Sequence, residues 1–330
     1  MSPDRTAYQK WLLRAVKLLI VVLVVWAVRR TLYDAWSQLG GYRWQLHVGW
    51  VLVAGVLYLL GLLLAGVFWH RVLRVLGQEA RLGECLRAYF IGHLGKYVPG
   101  KAMVVVLRAG MVRSHRVDTA LAAASVFFET LTMMAVGAFL AAAVLAVGFH
   151  DEAPRFWGAV GLMLVAGLPT FPPLFRRLAR LAGVGRSRPD VAQRMDRLDG
   201  RTLLLGWFLM TVCWALLGLS YWATLQAMGI PGLDPIGQLP RYTAAVALAM
   251  VAGFLLLVSP GGIGVREAAL AALMIPYLTT FVPEHAELVA WASAAVLRLV
   301  WLGAELAISA ILYPMGPRKA NSCRSTRAAP

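Results

Sequence analysis

The chain has 330 residues, 60% of them hydrophobic, and a mean hydropathy of +0.68. These values exclude an ordinary soluble domain and fit a polytopic membrane protein. The net charge of +16 comes from 32 basic and 16 acidic residues, and the basic ones crowd the short loops between apolar runs. This is the positive-inside pattern with an attraction for anionic lipid, so nucleic-acid binding is set aside.

The first apolar run, Trp11 to Val28, continues into Arg29 and Arg30 without a small-residue cleavage pattern. It reads as a span and not as a removed signal. A second span covers Val48 to Trp69 and ends in a basic loop with His70, Arg71, Arg74 and Arg81. An amphipathic stretch from Glu84 then leads into Gly95-Lys96-Tyr97-Val98-Pro99-Gly100-Lys101. Beyond it, Ala102 to Met111 is apolar except for Arg108, and too short to cross about 30 Å of hydrocarbon. Residues 84–112 are expected to form a re-entrant hairpin that enters and leaves from the cytoplasm.

A long helix follows over Thr119 to Val147, then an acidic turn at Asp151-Glu152 and a span from Phe156 to Phe175. Residues 176–201 hold eight arginines and read as a cytoplasmic loop. Further spans run from Thr202 to Met228 and from Arg241 to Val258. The second break is Ser259-Pro260-Gly261-Gly262-Ile263-Gly264, followed at once by Val265, Arg266 and Glu267. An apolar helix to Phe281 and a last span, His285 to Tyr313, precede a basic tail.

The expected fold is therefore all-α: about eight transmembrane helices with re-entrant or broken helices at the two Pro-Gly motifs. Residues 1–330 form one membrane domain, with weak halves at 1–150 and 151–320 left open. Loop charge puts both termini in the cytoplasm, at the cell (inner) membrane, although Arg29, Arg30 and Arg43 then fall on the opposite side. Cys85, Cys213 and Cys323 have neither metal nor disulfide spacing. Trp11, Trp50, Trp69 and Trp207 are placed as interfacial anchors.

Proline removes a backbone donor and glycine admits angles that other residues avoid, so both breaks are poor lipid-facing helix. Two interrupted apolar segments in separate halves mark a transporter site. Their glycine turns could offer N–H groups to phosphate oxygens, and a helix starting after Gly264 would add its positive end. Lys96, Lys101, Arg108 and Arg266 would supply full charges around Pro99, Gly100, Pro260, Gly261 and Gly262. Charges within the bilayer are costly, so Glu129, Glu267, Arg298 and Glu305 are expected in a polar cavity. Arg298 and Glu305 are too far apart along one helix to bridge ideally, which leaves Glu129 and Glu267 as candidate partners for Arg298. His93 reads as a packing residue.

With these two motifs, in this order, the chain resembles the flippase-like transmembrane family of the lysylphosphatidylglycerol synthase region. The resemblance implies movement of an anionic or polyprenyl-phosphate lipid head between leaflets, with a lipid-synthase or glycosyltransferase as a further partner. This chain departs from the family pattern where Lys101 is followed by Ala102-Met103 instead of a Gly-Glu pair. It departs again where Glu129 is followed by Thr130, Leu131 and Thr132. No aminoacyl-transfer domain is read in these residues, so synthesis of an aminoacylated lipid is not expected. No cofactor or metal is called for. Two alternatives remain: a membrane-embedded glycosyl- or phospho-transferase using Asp34, Asp151, Glu152 or Asp234, and a non-transporting partner of a lipid-modifying synthase. The sequence does not select the lipid, the direction of movement or the energy source.

Overall fold

The structure is a computed structural model that describes residues 46–97, 102–112, 117–148, 157–158, 160–161, 167–181, 189–255 and 264–315. Every element in its chain order is a helix. Among the described residues, four helices are long and apolar enough to cross a membrane: α1 (Val48–Val75), α4 (Thr119–Gly148), α7 (Gly200–Ala227) and α10 (Ala286–Leu312). They coincide with four of the expected spans. The first expected span, Trp11 to Val28, lies outside the described residues, as does part of Phe156 to Phe175.

Between α1 and α4 lie two short helices, α2 (Leu82–His93) and α3 (Ala102–Val112), joined through a 3₁₀ turn, Leu94–Tyr97. They fold back on each other. A Cβ on Gly95 would come within 2.9 Å of the Val104 backbone nitrogen, so only glycine permits this approach. Between α7 and α10 the same thing happens with α8 (Leu239–Leu255) and α9 (Val265–Leu278). Arg266 crosses Gly253 near the tip of this hairpin, and the Tyr242 and Tyr277 hydroxyls bond at 3.0 Å near its base. Where crossings are expected at 241–258 and 265–281, the described helical arms are 17 and 14 residues long, and 256–263 lie outside the described residues. At 1.5 Å per residue neither arm reaches about 30 Å.

The described helices on either side of the arginine-rich segment therefore run long, short, short, long, and then repeat that order. The two sets are inverted, because α1 and α7 pack antiparallel along their length. The His47 amide donates to the Ala227 carbonyl at one end, and Ser220 Oγ donates to the Ala54 carbonyl further along. Each hairpin leaves the C-terminal end of its long helix, so the two approach the centre from opposite ends. Helix α4 packs on the arm α8 of the other set, and α10 packs on α2. The core is apolar and aromatic, with Trp69, Trp214, Tyr58 and Tyr221 fully buried, while Leu52, Val56 and Leu60 of α1 face outward.

The arginine-rich segment includes two short helices, α5 (Pro172–Leu181) and α6 (Pro189–Met195). Phe175 is buried against Phe128 of α4, with ring centroids 4.8 Å apart. Arg180 pairs with Asp196 at 2.8 Å on the exposed side, where such pairs contribute little. Asp199 starts α7: its carboxylate accepts from the Thr202 amide at 2.9 Å and from Thr202 Oγ1 at 2.7 Å. Those hydrogen bonds from Thr202 hold the Asp199 carboxyl below the usual carboxylate range. A depressed folded pKa means the contribution is present above about pH 4 and is lost as pH falls through the folded value. Asp199→Ala is expected to cost about 1 kcal/mol at neutral pH, read as a lower melting temperature in detergent, with the difference vanishing in acid.

Candidate functional site

Residues flanking both breaks line one cavity of about 510 Å³ of atom-free space, its open mouth included. From the first hairpin come Lys96 and Tyr97, and from the second Arg266 and Glu267. Helix α10 adds Arg298 and Trp301, and α8 adds Ala249 and Met250 as part of an apolar wall. Of the residues singled out from sequence, Lys96, Arg266, Glu267 and Arg298 line this hollow. Pro99, Gly100, Lys101, Pro260, Gly261 and Gly262 lie outside the described residues.

Glu267 orders the mouth of α9. Gly264, the residue before the helix, has φ +85°, a conformation that favours glycine. Its amide donates to Glu267 Oε2 at 2.7 Å, while Glu267 Oε1 accepts from Arg298. One carboxylate thus caps a helix and neutralises a cation from the next. Arg266 differs from its neighbours. It crosses Gly253, where a Cβ would meet its Nε at 2.7 Å, and that Nε is buried without a hydrogen-bond partner.

Glu305 lies behind the cavity at 1% exposure. Lys96 and the Tyr58 hydroxyl both donate to its Oε1, and its Oε2 has no hydrogen-bond partner. Tyr58 is held by a 4.4 Å stack on Trp301 and also accepts from Lys96 at 3.2 Å. Of the three lining cations, Lys96 and Arg298 therefore each have their own carboxylate.

Arg108 and Glu129 do not line this cavity. They form a second buried pair at 2.8 Å, with side chains 3% and 1% exposed, between α3 and α4. Tyr89 donates to Glu129 Oε1 at 3.0 Å, and the Arg108 guanidinium lies 3.7 Å from the Tyr89 ring centroid, a cation–π contact. Arg108 also donates to His93 Nδ1 at 3.0 Å, which leaves the proton of a neutral imidazole on Nε2, toward Tyr58 at 3.4 Å. His93 is therefore a connector between the two charge clusters. Tyr58 and Tyr89 were not singled out from sequence. A lone tyrosine in an apolar run is usually a core residue, and the only signal is a hydroxyl at membrane depth that needs a partner.

Among the described residues no three His, Cys, Asp or Glu side chains are grouped to hold a metal ion. The arrangement suits an anion: an open arginine, two neutralised cations, a helix start and an apolar wall. A family model described as the lysylphosphatidylglycerol synthase TM region matches residues 14–300. No curated protein matches the chain.

Proposed function

The chain belongs to the lysylphosphatidylglycerol synthase transmembrane family, an integral membrane family tied to lipid metabolism, and from that membership we propose that it carries a phosphate-bearing lipid head between leaflets. The observation that carries this reading is Arg266, an arginine at a cavity shared by both hairpin tips, with its Nε buried and unpartnered. A guanidinium presents a fork of N–H donors that matches two phosphate oxygens. The wall of Val246, Ala249, Met250 and Leu270 suits the acyl or prenyl chain beside the head. Broken helices that meet from opposite ends of an inverted pair are the arrangement in which transporters place substrate at mid-membrane. In this reading the two hairpins are re-entrant, the arginine-rich segment 176–201 faces the cytoplasm, and the protein sits in the inner membrane.

The test is reconstitution into sealed vesicles carrying a trace of head-labelled phosphatidylglycerol or polyprenyl-phosphate lipid. A quencher that does not cross the bilayer destroys only outer-leaflet label. Vesicles with protein are expected to lose the protected inner half faster than empty vesicles. Rates no faster than those of empty vesicles, for both lipids, would refute the proposal.

A further inference from the structure

We infer that Arg108 is a second station for the same phosphate head, the inverted counterpart of Arg266, closed in this conformation by Glu129. The inference rests on the proposed lipid movement. It starts from the repeat of elements and from what the repeat does with its charges.

In the second hairpin, Arg266 of the outgoing arm lies across Gly253 of the incoming arm. In the first, Arg108 of the outgoing arm lies across Gly92 of the incoming arm, where a Cβ would come within 2.6 Å of its Cγ. Both arginines have a buried Nε without a hydrogen-bond partner. Arg108 is 2% exposed, so this orphan donor is sealed inside protein. A buried guanidinium N–H with nothing to donate to costs free energy in this state, and an acceptor in another state would relieve that cost.

The ion pairs repeat with their signs exchanged. In the first set Arg108 sits on the hairpin arm and Glu129 on the following long helix. In the second Glu267 sits on the arm and Arg298 on the following long helix. Their burial differs: Arg298 is 20% exposed at the cavity, whereas both members of the first pair are closed off. One hairpin is thus open and its counterpart shut. Two inverted units in unequal conformations can exchange them, which opens the cavity to the other end. The head would leave Arg266, pass Lys96 and His93, and meet Arg108 as the first hairpin swings from α4. His93 already accepts a hydrogen bond from Arg108 and contacts the Tyr58 hydroxyl, which in turn accepts from Lys96 at the cavity.

Ala88 and Ala249 each lie four residues before the two crossing glycines. Ala249 lines the cavity at 3% exposure, while Ala88 is fully buried and lines no described cavity. In a background with Cys85→Ala, Cys213→Ala and Cys323→Ala, a thiol reagent that does not cross the bilayer should label Ala249→Cys from one face and Ala88→Cys from the other. Glu129→Gln weakens the closure seen here. It should raise Ala88→Cys labelling about tenfold and lower that of Ala249→Cys, and Glu267→Gln should do the reverse. Should the cysteine background fail to fold, amide exchange in the two hairpins of the charge variants must show the same opposite changes. Labelling of both sites from one face, an unreactive Ala88→Cys in every variant, or rates that rise together would each overturn the second station. Any of these with lipid movement intact leaves the proposed function standing, whereas absence of lipid movement in the wild type removes both.

Discussion

Arg266→Ala should abolish protein-dependent lipid movement, at least about 100-fold below wild type, while the melting temperature stays within a few degrees. The asymmetry follows from what Arg266 does and does not touch. Its Nε has no partner to lose, and the carboxylate beside it, Glu267, is already committed to the Gly264 amide and to Arg298. Among the described residues, removing the guanidinium therefore breaks no ion pair. It removes a charged fork from the head-group site, and charge-assisted hydrogen bonds of that kind are worth about 1.5–3 kcal/mol each. A fork that makes two of them at once accounts for the expected factor. Arg266→Lys should recover only part of the rate, because an ammonium is a point charge without the fork. Retained movement in Arg266→Ala, measured with head-labelled phosphatidylglycerol, would remove this residue from the mechanism. Unfolding of the variant would show that Arg266 is structural.

The second large effect concerns Glu305 and Lys96, and here stability responds first. Glu305 is 1% exposed and takes donors from Lys96 and Tyr58. Glu305→Leu leaves an ammonium and a hydroxyl without their acceptor in a low-dielectric interior, and a loss of about 3–5 kcal/mol is expected. Lys96→Met should cost a similar amount by stranding the carboxylate. The pair Lys96→Met with Glu305→Leu should regain most of the loss, since replacing both members of a buried pair with apolar groups is near neutral. A double-mutant cycle from thermal melts in detergent checks this. Losses that simply add in the double variant would mean that the two side chains do not depend on each other.

The long spans were legible from sequence because nothing interrupts them: α1 and α7 are uniform apolar runs, and their expected and observed bounds agree within a turn or two at each end. The first hairpin was also legible, since Ala102 to Met111 is visibly too short for a crossing. The second was not, because Arg241 to Val258 is nearly long enough to span, and only its fold back against α9 reveals an arm. Among the charges, Glu129 and Glu267 could both be proposed for Arg298, because Glu305 is too far along the same helix. That Glu129 instead faces Arg108, and Glu305 faces Lys96, depends on which helices become neighbours, and one-dimensional spacing carries no such information. His93 illustrates the same limit. Its role as a connector comes from Arg108, fifteen residues on and brought back by the hairpin.

The antiparallel seam of α1 and α7 has a consequence for thermodynamics. An inverted pair fixes no direction of its own. Net flow in the proposed lipid movement must therefore draw on a free-energy source, either a coupled ion gradient or a reaction that supplies or consumes the lipid at one surface.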